Sequence, residues 1–106
     1  MGASSGSLRL PMPLDVTLPF WFDRPASEAI DIAMNAEAAG ADELWVGEMT
    51  TWDGAALAAA IARTTSKVTI VLGPLAVKVR DSVSLAMAVS SVAALGGRPA
   101  HLAIGA

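Results

Sequence analysis

Residues 33–49 read AMNAEAAGADELWVGEM, and the change of rhythm inside this stretch decides the fold. Good helix formers run up to Gly40, a residue suited to closing a helix because it tolerates positive φ. Residues 43–47 (ELWVG) are then a compact apolar run of strand length, with Glu48 just past it. Helix, glycine, strand, acid is the order. Working back, the helix begins at Ala26, behind a proline that a first turn tolerates, Pro25. Before it, residues 14–18 (LDVTL) form a short apolar run stopped by Pro19 and followed by Phe20, Trp21 and Phe22, a strand entering a loop.

Working forward, Thr50 and Thr51 make a polar break and Asp53 is placed to cap a helix over residues 54–63. Residues 68–72 (VTIVL) are β-branched and read as a third strand, expected to end at Gly73 and Pro74 because proline cannot donate to a central ladder. An extended stretch, 75–80, leads to a helix whose Leu85, Ala86, Val89, Val92 and Ala93 fall on one face and which stops at Gly96 and Gly97. Residues 101–104 (HLAI) make a last strand. Strands alternating with helices of this length predict an α/β fold: about four parallel βα units with helices on the outer face and an uncovered inner face. Pairs such as Ala33 with Ala36 and Ala58 with Ala62 let the helices approach the sheet closely.

Composition narrows the function classes. At 106 residues the chain has room for one domain, read over residues 14–106, with residues 1–13 as a flexible Gly/Ser leader. Hydrophobic residues make up 54% and charged ones 16%, with mean hydropathy +0.54, which excludes a disordered linker. Ten acidic against seven basic side chains give a net charge of −3, so nucleic acid and anionic membranes are not expected partners. The longest uncharged run, residues 82–97, falls short of a spanning helix and carries four serines. Cysteine is absent and His101 is the one histidine, which argues against thiol chemistry and a metal site. The expected compartment is the cytoplasm and the expected partner a small-molecule substrate.

In parallel α/β proteins ligands lie at the carboxyl ends of the strands. The segments just after each strand are 19–23, 48–53, 73–80 and 105–106, and they hold Phe20, Trp21, Trp52, the acid Glu48 and a Gly-Pro break. GxGxxG and GxxxxGK[ST] loops are missing, which disfavours a Rossmann dinucleotide site. Arg80 and Arg98 read as ion-pair or helix-capping residues, with Arg80 also placed to meet an anionic cofactor tail. Trp45 reads as core, and Asp42, Glu43 and Glu48 as a solvated rim.

Residues 33–49 followed by Trp52 and Asp53 resemble the AxxAExxGxDxLWVGEH stretch of the bacterial luciferase-like monooxygenase superfamily, which includes deazaflavin (coenzyme F-420)-dependent oxidoreductases. Residues 57–72, 80–86 and 95–105 support the likeness in the right order. The resemblance implies a TIM-barrel protein of which this chain is the N-terminal half, associating with another copy or with a C-terminal half. It implies F-420-dependent hydride transfer, with an FMN-dependent monooxygenase and a non-catalytic, partner-binding half-barrel as alternatives. By position in the pattern, Glu48 matches a catalytic acid, and Met49 stands where the family has His. Trp52 matches an aromatic residue beside the cofactor ring and Gly73, Pro74, Leu75 and Ala76 match the bulge that supports it; from the strand ends, Gly105 is added as a cofactor-binding residue and Phe20 and Trp21 join Met49 as substrate-binding ones. A non-prolyl cis peptide that supports the ring maps to Leu75–Ala76. Two further departures are Ser82 in place of the proline of an RxP pattern and one extra residue between the Gly-Gly-Arg block and Leu102.

Overall fold

The computed structural model describes residues 14–18, 24–48, 52–76 and 80–105. Over these the chain runs β1 (Asp15–Thr17), α1 (Ala26–Ala38), β2 (Glu43–Val46), α2 (Gly54–Thr64), β3 (Thr69–Ala76), α3 (Ser82–Gly96) and β4 (Ala100–Gly105). All three strand pairings are parallel and the sheet order is β1-β2-β3-β4. This is the arrangement of parallel βα units that the alternation predicts, and it is consistent with the half-barrel that the resemblance implies. The expected leader and the aromatic pair Phe20 and Trp21 lie outside the described residues, as does Met49.

Side-chain alternation sorts the sheet into two faces. Val16, Leu44, Ile70, Leu72, Ala100 and Leu102 join Ala33, Ala58, Ile61, Ala62, Leu85 and Val92 in one core between sheet and helices. Ala33 and Ala58 are wholly buried, which is the close helix approach their small side chains permit. The other face carries, in register, Asp15, Glu43 and Thr69, then Thr17, Trp45, Val71 and His101. Asp15, Thr17 and His101 are exposed there, and Trp45 is half-buried with its Nε1–H donating to Glu43 Oε1 at 3.2 Å. Trp45 therefore belongs to the open face, not to the core. Among the described residues no helix covers that face.

Local chemistry sets the helix ends. Asp53 and Asp81 cap α2 and α3, accepting from Ala56 N at 2.8 Å and Ser84 N at 2.7 Å. Gly97 closes α3 in the left-handed conformation at φ 67°. Within α3, Leu85 and Val92 are buried but Ala86 is exposed, so the inward stripe is narrower than its spacing predicts.

Two expectations about β3 are corrected. The strand does not end at Leu72: it continues through Gly73 and Pro74 to Ala76. Pairing with β2 ends at Val46↔Leu72, the register with β4 shifts between Leu72 and Leu75, and pairing resumes at Leu75↔Ile104 and Ala76↔Gly105. The proline thus sits in an irregularity where no ladder donor is required of it. The cis peptide is Gly73–Pro74, not Leu75–Ala76, in keeping with the far smaller trans preference of a tertiary amide.

Candidate functional site

Carboxyl ends of the strands form one rim, and its charged residues come from three separate segments. Glu48 lies just past β2. Its two oxygens accept from Arg80 Nε at 2.8 Å and Arg80 Nη2 at 2.9 Å, a two-pronged charge-assisted contact. Oε2 also accepts the N–H of Gly54, the first residue of α2, at 2.7 Å. Arg80 Nη2 donates again to Asp53 Oδ1 at 2.6 Å, while the other Asp53 oxygen is the α2 cap. Two carboxylates and one guanidinium therefore join the exit of β2, the start of α2 and the approach to α3.

Burial separates an inner pair from an outer one. The Arg80 and Glu48 side chains are 16% and 14% exposed, whereas Asp53 is 56% exposed, so water screens the Asp53 contact far more. Hydrogen bonding from Arg80, helped by the Gly54 N–H, holds the Glu48 carboxyl below its ordinary range against the opposing effect of burial. Asp53 is also lowered, first by the Ala56 N–H of its cap and then by Arg80. Arg80 is raised by its bonds to Glu48 and Asp53. A carboxylate held this way is a weak proton acceptor and a persistent anion.

Toward β4 the rim is built by close backbone approach. Gly73 has φ +150°, and a Cβ there would stand 2.3 Å from the carbonyl oxygen of Ala103. Only glycine meets both demands. Pro74 is exposed, and a Cβ on Gly105 would stand 3.3 Å from Pro74 Cβ. Leu75 is wholly buried, its Cδ2 3.5 Å from where a Gly54 Cβ would lie, so its side chain faces the core. Trp52, next to Asp53 in sequence, is exposed at 46%.

The structure thus brings Glu48, Asp53, Gly54, Leu75 and Arg80 together at one place, and Gly73, Pro74 and Gly105 at the adjoining strand ends. Trp52 is on the same side of the sheet by its place before α2. His101 stands elsewhere, on the open face near the start of β4. The expected acidic rim divides: Asp42 accepts the Leu14 N–H at 2.9 Å at the opposite end of the sheet and Glu43 accepts from Trp45, away from Glu48. Arg80 is the ion-pair residue the sequence reading expects; what that reading missed is its partners, with Nε and Nη2 committed to Glu48 and Asp53. Asp53 was legible as a cap, and nothing in the spacing of positions 48, 53 and 80 marks them as neighbours. Among the described residues no three His, Cys, Asp or Glu side chains come together to hold a metal ion.

A family model described as luciferase-like monooxygenase matches residues 10–105. The chain belongs to the luciferase-like monooxygenase family. That match spans nearly the whole sequence and includes the complete rim, so Glu48, Asp53 and Arg80 are part of the family domain and not of an appendage. No curated protein matches the chain. Luciferase-like proteins are of oxidoreductase or monooxygenase type and generally use flavin or F-420 cofactors. No described helix of this member is long and apolar enough to cross a membrane.

Proposed function

We propose that this luciferase-like chain supplies half of an F-420-dependent oxidoreductase site that moves hydride between the deazaflavin and a small-molecule substrate. The observation that carries this reading is the state of Glu48. Clamped by Arg80 and held as an anion, it is unsuited to carrying protons, and Met49 beside it has a thioether where the family has His. Hydride transfer between two carbon centres asks for positioning and a stable electrostatic setting more than for a proton carrier at the strand ends. Oxygen insertion with FMN makes the greater demand on proton handling.

The described rim suits a planar ring system. It exposes the Trp52 indole and Pro74, and its three charged groups leave one net negative charge. In this reading Trp52, Pro74 and the backbone of Gly73, Leu75, Ala76 and Gly105 hold the ring, Glu48 accepts hydrogen bonds from cofactor or substrate, and Phe20, Trp21 and Met49 border the substrate. The ring supplies the hydride chemistry. Arg80 already makes three hydrogen bonds to two carboxylates that outweigh its charge, so the grip on an anionic tail falls to groups elsewhere. Titrating the protein with F-420 and with FMN, following ring absorbance, tests the reading: an F-420 response supports it, an FMN response alone replaces it with monooxygenation, and no response to either removes it.

A second reading rests on the open sheet face and on the exposed Val83, Met87, Leu95 and Ile104 along α3 and β4. A parallel sheet is ordinarily covered on both faces, so the chain would work in association with another copy or with a complementary half-barrel. Sedimentation as a monomer at every concentration, with cofactor bound, would remove this reading.

A further inference from the structure

We propose that Arg80 is a positioning residue of the strand-end site: its guanidinium fork seats the Glu48 carboxylate against the start of α2, so that Glu48 meets the bound cofactor or substrate as a fixed acceptor. The inference rests on the functional reading above, and it starts from geometry. Glu48 follows β2, and Asp53 caps α2. Arg80 belongs to neither element, yet it holds both, Glu48 with two nitrogens and Asp53 with one of the same two. The Gly54 N–H fixes Glu48 Oε2 from a third direction. Glu48 cannot swing without breaking three hydrogen bonds.

The clamp also governs charge. The charged groups facing Glu48 among the described residues are Arg80, from the approach to α3, and Asp53, from the start of α2; Arg80 holds the Glu48 proton affinity down, while burial and the Asp53 charge push it up. Removing the guanidinium deletes the main restraint and leaves the opposing two, so the Glu48 carboxyl must titrate at higher pH. Where an ionised Glu48 is needed for binding, the variant acquires an acid-side loss that the wild type lacks. A lysine at position 80 keeps the charge but not the planar fork and should restore only part of the behaviour.

Two measurements test this. The first is independent of any cofactor: in protein carrying ¹³C-labelled glutamate, the Glu48 carboxyl resonance should titrate below the ordinary glutamate range in the wild type, rise by about a pH unit or more in Arg80→Gln, and fall between in Arg80→Lys. A wild-type Glu48 that titrates in the ordinary range overturns the clamp without any variant having to fold. The second is affinity for F-420 or FMN from pH 5 to 8. Wild type should vary little; Arg80→Gln should weaken about twofold or more at pH 5 relative to pH 8, with Arg80→Lys recovering part of the loss. A merely structural Arg80 would lower the melting temperature and leave the pH dependence unchanged, and that outcome overturns the proposal. Failure of the wild type to bind either cofactor counts against the functional reading instead, and the carboxyl titration then decides the clamp alone.

Discussion

The two ends of this sheet each carry an acid and an arginine, and they use them in opposite ways. At the amino end, Glu37 of α1 accepts three successive backbone N–H groups, those of Ser66, Lys67 and Val68, at 2.7 to 3.2 Å. Arg98 there donates to the carbonyls of Val68, Ala62, Thr65 and Gly96 and to the Thr65 hydroxyl. Apart from the Thr65 hydroxyl the partners of both side chains are main chain, and the loop between α2 and β3 is stitched to α1 and α3. At the carboxyl end, Arg80 spends its bonds on the side chains of Glu48 and Asp53. The amino-end charges tie main chain to main chain, whereas the carboxyl-end charges fix one another at the rim where ligands of parallel βα domains lie. The difference matches the division of parallel barrels into a stabilising end and a chemical end.

The largest effect that would sharpen this contrast is Arg98→Ala, which strands several half-buried carbonyls. It should cost about 3 kcal/mol in a urea melt and leave cofactor affinity of the folded protein unaltered. A loss under 1 kcal/mol would break the comparison. Glu37→Ala should cost about 2 kcal/mol, again without a change in binding. Its pH signature follows from the Glu37 carboxyl: burial raises its proton affinity, but the N–H groups of Val68, Lys67 and Ser66, with the charge of Arg98, outweigh burial and lower it overall. A lowered folded value means stabilisation that is complete above the unfolded value of ~4.5 and lost as pH falls through the folded one. The acid slope of wild-type stability below about pH 4.5 should therefore flatten in Glu37→Ala, as pH-dependent melts would register.

At the other end the effects should reverse in kind. Glu48→Gln should lower turnover at least about tenfold, roughly 1.4 kcal/mol of barrier, while changing stability less than Arg98→Ala does. Wild-type turnover in that variant would take Glu48 out of the site. Met49→Leu, nearly volume-conserving, should stay within about threefold in steady-state assays.

How much of this the sequence disclosed depends on the range of the interactions. Asp53 as a cap, Gly97 as a terminator and the run of strands and helices follow from neighbours a few positions apart, and all were legible. The continuation of β3 through Pro74 was not, because whether a proline is tolerated depends on which partner strand lies alongside, and β2 has already ended there. Trp45 was misplaced for a related reason: in a half-barrel an apolar run does not tell which face of the sheet is covered. The clamp was least legible of all, since Glu48 and Arg80 stand 32 positions apart and meet only once β3 and the approach to α3 are in place.

Sheet order identical to chain order has a consequence for how the molecule comes to be. Each strand finds its partner in the strand about 30 residues before it, and none waits for a distant segment. A ribosome delivering the chain from its amino end would present every new βα unit to an edge already made. The Arg98 seam would form as that edge advances past α3, and β4, unpaired on its outer side among the described strands, presents a fresh edge to whatever protein surface meets it.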